Sequence, residues 1–497
     1  MCSSKAPLIV LLTVAALWAA GTLWAAPAVA PRPVEFDHIR IEPAGAPGLE
    51  VFDDFDGDGV RDMLLSDNRT FSFFLSASGG PSARPDLVLT APDDAVLFDV
   101  SNVGGRSART VVIAKKNGVY LFGPDGEGNA VETRIIDAQS RLLPERVERL
   151  SFVNFVRDIT GDGPEDILFA DLDSLLVFER NGSGAFAKWG EIPFLPRSEI
   201  HAEPLSETGG LRETLFVPLV MAGGSADDRR LILYDGSSVR ILKRDGDGLC
   251  NELSKKKLVK ERSKEASERD VRMRFHTNVF FDDLDGDGWG DLAVCDNSHG
   301  EISFYTGIDS ERPDDHDLII RVDGNTFIPI FADLNNDGFK DLILPTTGKI
   351  GLLTVLKVFF TSRFDMNYMV FYNRQTPLFR QIPDDSRTLS FPLSFSTSSK
   401  GLSVESVLIR SFRGDFNGDG RCDFLLRGDK NSVRVFFGLE NGTFSKKPDM
   451  VFPVKIMAKC FHVNTRTPDL NGDGRADLFL HQKSPKGERW DIYLSKD

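Results

Sequence analysis

Six nine-residue segments of the form D-x-D/N/T-x-D-G-x-x-D recur along this chain of 497 residues: DFDGDGVRD from Asp54, DITGDGPED from Asp158, DLDGDGWGD from Asp283, DLNNDGFKD from Asp333, DFNGDGRCD from Asp415 and DLNGDGRAD from Asp469. Oxygen donors at alternate positions of a tight turn suit a hard divalent cation, which takes six to eight oxygens at about 2.3–2.6 Å. The chemistry expected of these loops is therefore Ca²⁺ binding, at about six sites. The spacing assigns side-chain ligands to loop positions 1, 3, 5 and 9 and a backbone carbonyl to position 7. The sets are Asp54, Asp56, Asp58 and Asp62 with Val60; Asp158, Thr160, Asp162 and Asp166 with Pro164; and Asp283, Asp285, Asp287 and Asp291 with Trp289. They continue with Asp333, Asn335, Asp337 and Asp341 with Phe339; Asp415, Asn417, Asp419 and Asp423 with Arg421; and Asp469, Asn471, Asp473 and Asp477 with Arg475. Glycine at position 6 lets the backbone take a turn that a Cβ would oppose. Thr160, Asn335, Asn417 and Asn471 keep an oxygen and remove a charge, so their loops are expected to bind more weakly than the all-Asp loops at Asp54 and Asp283.

An EF-hand loop begins in the same way but closes with a bidentate Glu at position 12 between two helices. Position 12 here is Leu65, Phe169, Val294, Leu344, Leu426 and Leu480, which excludes that motif. Ordinary Asp- and Gly-rich turns use the same residue types without metal. Six copies in one ligand register favour the metal reading, with the cation pinning a hairpin and not catalysing a reaction.

The elements that carry the loops read as strands. An aromatic such as Phe52, Phe281, Phe331 or Phe412 lies just upstream, and each closing Asp opens an apolar run such as Met63-Leu64-Leu65, Ile167-Leu168-Phe169 or Phe424-Leu425-Leu426. The first two gaps between loops are about twice too long. Each holds a unit that lacks acidic ligands: Phe98-Asp99 to Val111-Val112-Ile113 followed by Gly118 to Phe122, and Leu215 to Val220 followed by Leu231 to Tyr234. Eight units of strand, loop, buried strand, turn, strand and outer strand result. Four-stranded units at this period predict an all-β, eight-bladed β-propeller with loops between the first two strands of six blades. Seven blades is the alternative, should one ligand-free unit be an insertion. Only two strands fit after the last loop, and Val34 to Ile41 can supply the missing one and close the ring. Apolar residues at 352, 355, 356, 359 and 360 recur at helical spacing and predict one surface helix inserted in a blade and packed on the propeller.

The six loops and the unit pattern resemble the FG-GAP/VCBS repeat family, including the calcium-loop blades of integrin α-chain propellers, over essentially the whole chain after its leader. The resemblance implies a calcium-stabilised propeller, secreted or on a cell surface, that acts in ligand binding or adhesion. Two units without ligands, and a count of eight against seven in integrins, depart from that pattern.

Composition sets the remaining bounds. A formal charge of −15 disfavours nucleic acid and anionic membrane surfaces as partners. Much of that charge sits in the loops, so bound Ca²⁺ would relieve it. Lys5, the apolar run Leu8 to Ala26 and the small residues Ala26, Ala28 and Ala30 predict a signal peptide over 1–28, with an uncleaved membrane anchor as the alternative, ahead of a single domain over 29–497. The protein is thus expected outside the cytoplasm: secreted, periplasmic or on the cell surface. Cys250, Cys295, Cys422 and Cys460 allow three disulfide pairings, and Cys295 reads more simply as a buried thiol. Asp245-Gly246-Asp247-Gly248 mimics a metal loop but aligns Lys243 with position 1, so it reads as an outer hairpin turn. Of the two Arg-Gly-Asp triplets, at 413–415 and 427–429, the first is absorbed by a loop ligand and the second reads as an exposed turn. Sequons at Asn68, Asn181 and Asn441 fall near turns, and the run Lys255 to Arg269 reads as a solvated inter-blade segment. Hydrolase, zinc-protease and phosphate-loop motifs are missing. The expected function is a binding or adhesion module for a protein or glycan. The alternatives are a propeller polysaccharide lyase or hydrolase, and a structural surface protein.

Overall fold

The computed structural model describes residues 36–45, 47–103, 108–195, 197–202, 211–216, 219–223, 230–234, 238–257, 278–287, 290–296, 300–306, 318–348, 352–392, 394–398, 401–405, 409–428 and 431–496. The expected signal segment, Trp289 and most of the 255–269 run lie outside them.

Continuous apolar runs such as Met63-Leu64-Leu65 cannot belong to a sheet with one wet face, because successive side chains point to opposite sides. The structure shows what covers both. Met63 and Leu65 pack with Phe479, Trp490 and Ile492 of the last sheet. Leu64 packs the other way, with Phe71, Phe98, Val111 and Ile113. The same alternation recurs at Ile343, which joins the cluster of Phe424 and Phe436, and at its neighbours Leu342 and Leu344, which join that of Phe304 and Ala293. Consecutive sheets are thereby glued face to face all the way round.

Eight antiparallel sheets form the ring. Blades 1 to 4 begin with inner strands Leu49–Asp53, Ala95–Ser101, Val156–Arg157 and Leu219–Gly223. Blades 5 to 8 begin with Asn278–Asp282, Ile330–Ala332, Arg410–Gly414 and His462–Arg466. Eight blades, not seven, is the count, because both ligand-free units form complete sheets. Blade 8 takes its outer strand from Phe36–Ile41, which pairs antiparallel with Gly487–Ser495 from Phe36↔Ser495 to Ile41↔Trp490. Ring closure therefore comes from the end of the chain that the strand shortfall indicated.

Three additions depart from the expected pattern. Hairpins Arg197–Ala202/Leu211–Phe216 and Ser394–Ser398/Gly401–Glu405 stand apart from the blades. The expected strand Leu215 to Val220 is split between the first of these and the inner strand of blade 4. A short strand, Ser151–Phe152, adds in parallel to the inner strand of blade 2. The helix exists, Leu352–Thr361, between the second and third strands of blade 6. Lys357 pairs with Asp365 of the following strand at 2.6 Å, and Leu356 and Phe360 are 41% and 79% exposed. No helix among the described residues is long and apolar enough to cross a membrane. Cys250, Cys295, Cys422 and Cys460 are all free thiols, which removes the disulfide pairings from consideration.

Candidate metal centres

Each of the six loops joins the first two strands of its blade. The first aspartate organises the turn by accepting backbone N–H groups from within it. In blade 1, Asp54 Oδ1 accepts from Gly57 N at 2.6 Å and Oδ2 from Gly59 N at 3.0 Å. Asp158 does the same with Gly161 and Gly163, Asp415 with Gly418 and Gly420, and Asp469 with Gly472 and Gly474. Positions 4 and 6 consequently both take positive φ: Gly57 at 89°, Gly59 at 88°, Gly418 at 74°, Gly420 at 81°. The sequence pattern flagged only position 6. Blade 6 shows that position 4 has the same requirement, since Asn336 stands there at φ 59°, asparagine being among the few residues other than glycine that tolerate this region.

The position-5 carboxylate accepts the N–H of position 7: Val60 to Asp58 at 2.7 Å, Phe339 to Asp337 at 2.9 Å, Arg421 to Asp419 at 2.9 Å and Arg475 to Asp473 at 2.8 Å. Pro164 has no N–H to give. In the three Asn loops the position-3 amide donates to the position-5 carboxylate, from Asn335, Asn417 and Asn471, at 2.9–3.1 Å. In blade 7 the Arg421 guanidinium also reaches Asp419 at 2.7 Å.

The closing aspartate differs from the other three. Asp62, Asp166, Asp291, Asp341, Asp423 and Asp477 are all fully buried. Each accepts, through Oδ2, the N–H of the position-2 residue: Phe55, Ile159, Leu284, Leu334, Phe416 and Leu470, at 2.7–3.0 Å. In four blades Oδ1 accepts a second N–H from the end of the third strand, at Ser76, Asn373, Gly438 and Ser495. This residue thus ties loop, second strand and third strand together. Burial pushes its carboxyl up, helped by the loop's other carboxylates and opposed by these N–H donors, to about 6 for Asp166 and about 7 for Asp341, Asp423 and Asp477. The position-2 side chains themselves are core residues: Ile159, Leu284, Leu334, Phe416 and Leu470 are at most 2% exposed. Neither role was part of the ligand assignment, although the unbroken series of apolar residues at position 2 was visible in the sequence.

In three of the six loops the carboxylates gather closely enough to suit a hard cation. One carboxylate oxygen from each of Asp54, Asp56 and Asp58 lies within 4.8 Å of the others, and the same holds for Asp158, Asp162 and Asp166 and for Asp283, Asp285 and Asp291. Asp166 Oδ1 is buried without a hydrogen-bond partner, a costly condition that an ion would relieve. Burial, then the adjoining Asp287 and Asp283 charges, push the Asp285 carboxyl up.

The ligand-free blade 2 solves the same problem differently. Its linker ends at Arg109, whose guanidinium meets Asp53, beside the first loop, at 3.0 Å and Glu165 of the blade 3 loop at 2.7 Å. Asp99 of the same blade accepts N–H groups from Val100, Phe155 and Val156 at 2.8 Å each, bracing blade 2 against blade 3. The Asp245 turn joins the outer two strands of blade 4, and Asp245 accepts from Asp247 N, Leu249 N and Asn251 Nδ2, as a hairpin turn should.

A family model described as an FG-GAP-like repeat matches residues 415–480, from the loop of blade 7 into the second strand of blade 8. No curated protein matches the chain in sequence. Among solved structures, a protein from Lactobacillus plantarum shares 12% identity at a TM-score of 0.30, the match covering 82% of this chain and 97% of that one. A periplasmic gluconolactonase from Pseudomonas aeruginosa shares 15% at 0.27, covering 77% and 95%, and a putative 6-phosphogluconolactonase from Bacteroides fragilis shares 10% at 0.30, covering 82% and 97%. At these values the likenesses carry no argument about chemistry. The ring of eight sheets and the matched repeat together identify the chain as a β-propeller bearing an FG-GAP-like repeat.

Proposed function

We propose that this protein is an exported β-propeller, stabilised by Ca²⁺ in its six acidic loops, that serves as a binding or adhesion module for a protein or glycan. The observation that carries the reading is the single hydrogen-bond plan shared by all six loops, in which the position-2 N–H meets the closing carboxylate while the position-1 and position-5 side chains stay out of the core. Asp54, Asp56 and Asp58, and their counterparts in the other loops, would hold the ion together with the carbonyls of position 7. A bound Ca²⁺ supplies positive charge that offsets the crowded carboxylates. The chain's own residues do the rest: glycines set the turn, and the closing aspartate locks it to two strands.

A lyase or hydrolase would need reactive side chains converging in an open cleft. Among the described residues, His481 is the histidine set between two carboxylates, and it is 2% exposed and enclosed between Glu50 and Glu488, which suits a brace better than a reaction centre.

Thermal unfolding in calcium and in chelator tests the metal reading. A ligand held only by the native state adds about 2.7 kcal/mol at a hundredfold excess over its Kd, so the midpoint should rise clearly with calcium. An unchanged midpoint would overturn it. Screening the purified protein against polysaccharides, for retention and for released reducing or unsaturated ends, tests the binding reading: retention without product supports it, and turnover replaces it with the enzyme.

A further inference from the structure

Where the inner strands of blades 5, 6 and 7 end, beside the loops, they enclose a cavity of about 410 Å³. That size lies within the roughly 300–1,000 Å³ typical of small-molecule sites. Two of its walls are aromatic, Phe280 of blade 5 and Phe331 of blade 6, with ring centroids 5.2 Å apart and planes inclined at 55°. Its charged groups are not equivalent. Lys340 is committed to Asp282 in an ion pair. Asp333 is the first aspartate of the blade 6 loop, where its Oδ2 accepts the Gly338 N–H at 2.9 Å. Arg413 of blade 7 is uncommitted by comparison: its guanidinium makes one long hydrogen bond, 3.4 Å, to the Phe331 carbonyl, and has no carboxylate at ion-pair distance among the described residues.

We propose that this cavity binds a small molecule carrying an aromatic ring and one carboxylate, with the carboxylate on Arg413 and the ring against Phe280 and Phe331. A guanidinium with unspent donors matches a carboxylate in shape and charge, and two inclined rings accept a third planar group. The site is also linked to the blade 6 loop. Asp333 lines both, and as long as its charge is unopposed it repels an incoming anion. A cation in that loop removes the repulsion, so carboxylate binding is strengthened by calcium. This link rests on the calcium reading above; the contacts to Arg413 and the phenylalanines do not.

Binding of 2-naphthoate and of its neutral counterpart 2-naphthamide to the purified full chain, followed by titration calorimetry with calcium and with chelator, tests the proposal. Naphthoate should bind more tightly than the amide, and Arg413→Gln, at an exposed position, should weaken naphthoate roughly ten- to a hundredfold while leaving the amide and the thermal midpoint unchanged. Arg413→Lys should recover part of the loss. Failure of naphthoate to bind, or binding indifferent to Arg413→Gln, overturns the site. Equal naphthoate affinity in calcium and chelator overturns the link to the loop alone. A chain whose thermal midpoint ignores calcium but that still binds naphthoate through Arg413 overturns the metal reading and leaves the site standing.

Discussion

Asp423 and Asp419 carry the same side chain four residues apart in one loop, yet they perform different work. Asp423 is fully buried and its two oxygens accept the N–H groups of Phe416 and Gly438, at 2.7 and 2.8 Å. Asp423→Asn keeps the shape but turns an NH₂ toward one of these donors. The cost should be about 1–3 kcal/mol, the usual price of an unsatisfied buried polar group, and a denaturant titration in chelator, where no metal contributes, would read it. Asp285, the expected position-3 ligand of the blade 5 loop, accepts the Asp287 N–H within that loop at 3.2 Å and has no such bracing duty. Asp285→Ala should remove about one calcium per chain by metal analysis, whereas Asp245→Ala, in a hairpin turn that only imitates the loop, should remove none. Equal losses would show that the ligand register is wrong. Blade 7 adds a finer test, because the Arg421 guanidinium already neutralises Asp419. Arg421→Ala should therefore tighten calcium binding at that loop, seen as an earlier step in a calcium titration. Candidate ligand positions can be named from the sequence because oxygen donors at fixed spacing are a property of residue letters. The brace was not, because it depends on burial and on backbone N–H groups from a strand 14 to 32 residues away, which no letter encodes.

At the scale of elements, the seam between blades 8 and 1 is held by a charged cluster. Glu50 of the first inner strand meets His481 Nδ1, His481 Nε2 meets Glu488 at 2.6 Å, and the imidazole stacks on Trp490 with centroids 4.6 Å apart. Asn464 donates to Glu50 at 2.8 Å, Lys483 pairs with Glu488 at 3.2 Å, and Arg466 stands close enough to add charge. Burial pushes the Glu50 carboxyl up, but the hydrogen bond and charge of His481, aided by Arg466 and Asn464, leave it below its ordinary value of 4.5. A carboxyl depressed in the folded state stabilises it above the unfolded value, and that contribution is lost as pH falls through the folded value. Stability should thus decline in acid below about pH 4.5, and Glu50→Gln should flatten that part of a stability-against-pH curve while lowering stability at neutral pH. An unaltered acid limb would show that other carboxylates control it. None of this could be read beforehand, since Glu50 and His481 are 431 residues apart. The inserted helix was legible from its 3.6-residue period, which marks a face without saying what covers it.

The whole molecule is a ring, and its repeat count came through in the sequence because each blade must bury both faces of its second strand, which forces a continuous apolar run at regular intervals. The added hairpins were missed for the complementary reason, that a two-stranded insertion alternates its residues as a blade strand does. Ring closure depends on the fewest residues. Phe36–Ile41 pairs with Gly487–Ser495 along six residues, Phe36 stacks on Phe452 at 3.9 Å, and His38 meets Asp491 at 2.9 Å. Ile41, 2% exposed, lies in the cluster that joins Trp490 and Ile492 of blade 8 to Met63, Leu65 and Phe74 of blade 1. It thus packs on the last blade and the first at once. Ile41→Ala should cost about 2–5 kcal/mol, the range for truncating a buried aliphatic side chain. A chain beginning at residue 42 should lose more, because it also exposes the unpaired edge of Gly487–Ser495 to other chains. Denaturant unfolding and light scattering on the two variants would separate these effects: Ile41→Ala should unfold earlier while staying monodisperse, and the shortened chain should associate. A shortened chain that remained monodisperse and as stable as the intact one would mean that the N-terminal strand is not what closes the ring.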